Sequence, residues 1–189
     1  MGFLGLLVIA IGLAMDAFAV AMCKGISMPK INVKHALIIA IFFGVFQGIM
    51  PFFGWLLATN FEKYIVNVDH WVAFVLLSFL GIKMIIEAFK KDEEECETFK
   101  LDFKELTILS VATSVDALAV GITFALLRVE IFSAISLIGI ITFALCMGGV
   151  YIGHFFGAKF KSKAEFAGGL ILILMGTKIL LEHLEILPF

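Results

Sequence analysis

Six runs of about 20 residues, each almost free of charge, divide this chain of 189 residues and constrain it more than any other feature. They lie at roughly 3 to 23, 35 to 58, 71 to 89, 106 to 127, 132 to 157 and 166 to 187. About 20 largely apolar residues in helical conformation cross the hydrocarbon core of a bilayer. A transmembrane strand would be shorter and would alternate polar with apolar side chains, a pattern these runs lack. Composition agrees: 62% of the residues are apolar, 21 are phenylalanine, and mean hydropathy is +1.10. The expected fold is an all-α membrane protein with six transmembrane helices in a single membrane domain, 1–189, and no soluble domain. No Lys or Arg precedes the first run and no small-residue cleavage site follows it, so it is expected to be a retained span and not a signal peptide.

The second half echoes the first. "AMDAFAV" at 14–20 matches "SVDALAV" at 114–120, and "GIKMIIE" at 81–87 matches "GTKILLE" at 176–182. "MPFFGW" at 50–55 falls where "GVYIGH" at 149–154 falls in the second copy. Each copy holds three spans, an odd number, so the second enters the membrane from the opposite side. Repeat 1 (1–89) and repeat 2 (106–189), joined by an acidic linker at 90–105, are therefore expected to form an inverted-topology pair. Such pairs place substrate near the midplane, where the repeats meet.

Orientation follows from lysine and arginine in short loops. Loops one, three and five carry lysines at 24, 30, 34, 90, 91, 100, 104, 159, 161 and 163, whereas the opposite side has only Lys63 and Arg128. Both termini are expected outside, with the odd loops in the cytoplasm. The linker "KKDEEECETFKLDFK" reads as a solvated connection, and Cys96 within it should meet a reducing cytoplasm. Three cysteines without paired spacing imply no disulfide framework.

Two aspartates sit deep in apolar runs. Asp16 is about two thirds along the first span and Asp116 about midway along the fourth. A charge at the bilayer centre costs roughly 2.5–3.5 kcal/mol on insertion scales, so a repeated pair calls for a function. Facing one another, two carboxylates suit one divalent cation. An empty pair would share a proton that cation binding expels, a route to proton-coupled exchange. Thr113, Ser114 and Gln47 could complete an oxygen-rich shell, and Pro51 should kink or break its helix and free carbonyls. Hard ions such as Mn²⁺ favour this donor set. The sulfurs of Met15, Met50, Cys146 and Met147 read as packing.

Lys83 with Glu87, and Lys178 with Glu182, form i,i+4 pairs that read as interfacial anchors or gate-closing pairs. The histidines at 35, 70, 154 and 183 lie near span ends and read as anchors. Glycines at every fourth residue in "GVFQG" and "GVYIGHFFG" let helices approach closely, within the chain or in a homodimer. With no Gly-rich loop ending in Gly-Lys-Ser or Gly-Lys-Thr, the chain should not hydrolyse ATP. No enzymatic activity, cofactor or nucleic-acid partner is expected.

The stretches "GLAMDAFAVAMCKG", "GVFQGIMPFFGW", "HWVAFVLLSFLGIKMIIEAF" and "ATSVDALAVG" resemble the MntP-type manganese efflux pumps of bacteria, over essentially the whole chain. There is also a remote likeness to the lysine-exporter group. The resemblance implies a six-helix protein of the bacterial plasma (inner) membrane that exports Mn²⁺, with Asp16 and Asp116 at required positions. Many members carry Glu where this chain has Gln47, so a third anionic ligand is not implied. Two alternatives differ in class. An intramembrane aspartyl protease also uses two aspartates, but the residues before them here are "LAM" and "TSV" in place of a Gly-x-Gly pattern. An exporter of another divalent metal or of a basic amino acid is the other; an amino acid would need a carboxylate-binding group, and no arginine lies inside a span.

Overall fold

The computed structural model describes residues 3–59, 69–89, 101–156 and 161–183. These form α1 (Phe3–Leu13), α2 (Met15–Ser27), α3 (Val33–Thr59), α4 (Asp69–Phe89), α5 (Phe103–Leu126), α6 (Ile131–Phe156) and α7 (Lys161–His183), with no strand among the described residues. The first expected span is thus two helices. They part at Ala14, where the backbone turns, although bonds from Ala14 N to Ala10 O and from Phe18 N to Ala14 O bridge the junction. Taken together, Phe3–Ser27 is long and apolar enough to cross a membrane, as are α3, α5 and α6. The remaining two, α4 and α7, are helices of 21 and 23 residues with apolar stretches at Phe74–Lys83 and Gly169–Leu181.

Helix ends follow local chemistry. Asp102 accepts a bond from the Lys104 amide at 2.8 Å and starts α5 at Phe103, inside the segment assigned to the linker; residues 90–100 of that linker lie outside the described residues. This cap satisfies one of the amides a helix start leaves unpaired. At the other end of α5, Arg128 adopts φ 51°, and the Val129 amide reaches back to Phe124 O at 2.9 Å. That is the left-handed cap with a 6→1 bond, here built without glycine.

Side chains distribute as a bilayer demands. On α3 the exposed apolar residues recur at Leu37, Ile41, Val45, Ile49 and Phe53, and on α4 at Val75, Phe79, Ile82 and Ile86, each a helical stripe toward lipid. Among the described residues the buried polar ones are Gln47, Ser110, Ser114, Asp116, Thr123 and Thr142. Polar atoms lie inside because hydrocarbon offers them no hydrogen bonds.

The principal contacts pair α4 with α7, α3 with both α5 and α6, and α2 with α6, while α1 leans on α6 and α7. Glycine sets the closest approaches. A Cβ on Gly121 would overlap the Pro51 carbonyl, and one on Gly54 would overlap the Leu118 carbonyl, so α3 and α5 touch backbone to backbone. The Gly44 and Gly48 face is taken up by Gly139 of α6, and Gly149 and Gly153 meet Phe18 and Met22 of α2. Pro51 does not break its helix: α3 runs through it from Val33 to Thr59. Lacking an N–H, it still leaves the Gln47 carbonyl without its intrahelical donor.

Candidate functional site

Asp116 lies on α5 about 20 Å from one end and 15 Å from the other at the helical rise. Its side chain is 10% exposed, and both carboxylate oxygens face a single cation, the Lys83 ammonium of α4, at 3.2 Å each. A buried carboxylate stripped of water is tolerable only with such a partner. Asp16 is half-buried in the first turn of α2, directly after the break at Ala14. The amide-rich start of α2 there favours negative charge.

Gln47 is fully buried on α3 and both halves of its amide are engaged. Nε2 donates to Leu13 O at 2.9 Å, the last residue of α1, while Oε1 accepts from Ser114 Oγ at 2.9 Å. One side chain thus ties the broken first span to α3 and α5. Ser114 and Asp116 are two residues apart, about 200° around the helix, so they leave α5 on nearly opposite sides. The Gln47–Ser114 bridge and the Asp116–Lys83 pair therefore occupy two different flanks of α5. Thr113, three residues before Asp116, shares its side, but its hydroxyl bonds back to Leu109 O at 3.0 Å and Ser110 O at 3.3 Å.

Of the residues singled out from sequence, Asp116 and Lys83 meet, and Gln47, Ser114 and the Leu13 carbonyl meet separately. Pro51 packs on Gly121. Lys178 stands on α7 in the register that Lys83 has on α4. The side chains of Glu87 and Glu182 lie outside the described residues. The Lys83–Asp116 pair was missed by sequence reasoning, which read Lys83 with Glu87. The signal was present, since the repeat that doubles the aspartates doubles a lysine inside an apolar run as well. Among the described residues, no three of His, Cys, Asp or Glu gather into a cage. Any ion held here would rest on few carboxylates, with hydroxyl, carbonyl and water oxygens completing the shell.

At the end of α2, the Lys24 ammonium pairs with Glu105 in the first turn of α5. It links α2 to α5 far from the aspartates.

The family described as "Putative manganese efflux pump" (Mntp) matches residues 30–180. The chain belongs to this family. A relative from Acetivibrio thermocellus is 53% identical, covering 100% of this chain and 96% of its own length. One from Desulfitobacterium hafniense is 55% identical over 99% of this chain and 98% of its own, and one from Mannheimia succiniciproducens is 50% identical over 97% and 98%. All three carry the name "Putative manganese efflux pump MntP". No solved structure matches the chain. This family of multi-pass membrane transporters accounts for a buried, ion-paired carboxylate inside an apolar helix.

Proposed function

We propose that this protein is a secondary transporter that exports Mn²⁺ from the cytoplasm across the plasma (inner) membrane of a bacterium. The observation that carries this is end-to-end likeness, at half or more identity, to relatives named as manganese efflux pumps. Asp16 and Asp116 take the ion, and the three-helix halves, related as inverted repeats, rock about them. The packing supports the repeat. Equivalent helices meet, α4 with α7 and α3 with α6, and the α3–α5 contact has its counterpart in α6 against the first span. The detail is reciprocal too. A Cβ on Gly81 would strike the Gly169 carbonyl, and one on its counterpart Gly176 would lie 3.5 Å from the carbonyl of Phe74, the counterpart of Gly169.

The odd loops face the cytoplasm and both termini lie outside, on the lysine distribution. Single cysteines placed in loops one and four, labelled by an impermeant thiol reagent in intact cells, test this orientation; labelling from loop one alone would reverse it. Gly44, Gly48, Gly149 and Gly153 make close contacts within the chain.

The function is tested by elemental analysis of a host that lacks its own exporter and is challenged with MnCl₂. Wild type is expected to lower cellular manganese, whereas Asp16→Asn and Asp116→Asn, although inserted and folded, leave it at the level of the empty vector. Export by both variants at the wild-type rate would remove the aspartates from the site. Unchanged manganese with wild type in the membrane would turn the search to Fe²⁺, Co²⁺, Cd²⁺ and basic amino acids.

A further inference from the structure

We propose that Lys83 is a specificity-determining residue whose ammonium is a tethered cation, held on the Asp116 carboxylate until a divalent ion displaces it, a role that rests on the manganese reading above. Its Nζ lies 3.2 Å from each carboxylate oxygen, the place a cation bound to both would take. The two partners differ in freedom. The lysine side chain is 40% exposed and the aspartate 10%, so the lysine is the one with room to leave. It stands six residues from the end of α4 at Phe89, about 9 Å along the axis, within reach of a side chain that extends toward an interface.

The selectivity follows from elementary electrostatics. A monovalent ion at the same distance gains the same Coulomb energy as the ammonium, whereas a divalent ion gains twice as much. A group held by a short flexible tether competes at an effective concentration of millimolar or more. Free K⁺ must therefore displace an equal charge that never diffuses away, and Mn²⁺ displaces a weaker one. When no ion is bound, the carboxylate keeps a counter-charge supplied by the protein. By the repeat, Lys178 is the residue that would serve Asp16 in the same way.

The test is equilibrium Mn²⁺ binding to the full-length protein in detergent, read from the electron paramagnetic resonance signal of free Mn²⁺. It is run in KCl and in N-methylglucamine chloride at equal ionic strength. Wild type is expected to bind equally in both salts. Lys83→Met is expected to bind Mn²⁺ at least about tenfold tighter, because the competing charge is gone, and K⁺ but not N-methylglucamine should now compete. Lys83→Arg, which keeps a tethered cation, should remain indifferent to K⁺. Should K83M not be recovered folded, K83Q, which can still hydrogen-bond the carboxylate without a charge, carries the same comparison. Wild-type binding with unchanged affinity and no K⁺ competition in K83M or K83Q would overturn the tethered cation and leave the manganese site standing. Absence of Mn²⁺ binding to wild type would remove the manganese reading and this role with it.

Discussion

Gln47 is a clamp in this structure. Its amide joins Leu13 O to Ser114 Oγ, spanning three helices. Gln47→Leu leaves the Ser114 hydroxyl unpaired and takes the amide donor from Leu13 O. Interhelical hydrogen bonds in membranes average about 0.6 kcal/mol and reach about 1.7, so a loss of about 1–2 kcal/mol is expected, seen as a lower midpoint of thermal unfolding in detergent. Midpoints equal within error would show that the bridge contributes nothing. Glu130 offers a pH-dependent counterpart outside the membrane spans. The Ser133 hydroxyl, and its amide at 2.9 Å, bond the Glu130 carboxylate and hold its pKa below the usual value. A lowered folded value means that the cap helps above the ordinary carboxylate pKa and is lost as pH falls through the folded one. Hydrogen-exchange protection of the Ser133 amide, normalised for intrinsic rate, should therefore decline on acidification through that range, and Glu130→Gln should flatten the profile.

At the scale of elements, contact is decided by the backbone approach of α3 to α5. At Gly121 the neighbour is the Pro51 carbonyl, which has no rotamer to change. Gly121→Ala is expected to push the helices apart at a cost of about 1–3 kcal/mol, the range of overpacking. Gly148 meets nothing within 4 Å, so Gly148→Ala should be neutral or slightly stabilising. Thermal unfolding of the two variants side by side checks the contrast; equal midpoints would mean that α3 and α5 can part freely. The element the runs failed to show is the break at Ala14. Hydropathy is continuous across it, and what marks it is a partner from α3, the Gln47 amide on Leu13 O.

On the scale of the whole molecule, Lys24 and Glu105 join the end of α2 to the start of α5, one helix from each half. The glutamate side chain is 39% exposed and Lys24 is 16% exposed. Part-exposed pairs of this kind contribute roughly 0.2–1 kcal/mol, so under the proposed rocking of the halves the effect should fall on transport more than on folding. Lys24→Glu is expected to change the rate of manganese export several-fold with little change in unfolding temperature, and the double exchange Lys24→Glu with Glu105→Lys should restore it. A double variant no better than the single would show that the pair does not couple the halves.

The sequence by itself determined that the chain crosses a membrane, roughly where its helices run, and which carboxylates stand inside apolar runs. Each of these follows from the local cost of placing polar atoms in hydrocarbon, which every stretch of chain meets on its own. Asp16, Asp116, Gln47 and the doubled Lys83 and Lys178 were all visible there. Who meets whom was decided by tertiary packing alone. Lys83 reaches across to Asp116 on another helix because a buried anion stripped of water needs a cation beside it. Ser114, grouped with Asp116 by proximity along the chain, and Gln47, grouped with it as a polar residue mid-span, meet on the far flank of α5 because successive side chains turn about 100° around a helix and the packing of α3 and α4 claims opposite sides of it.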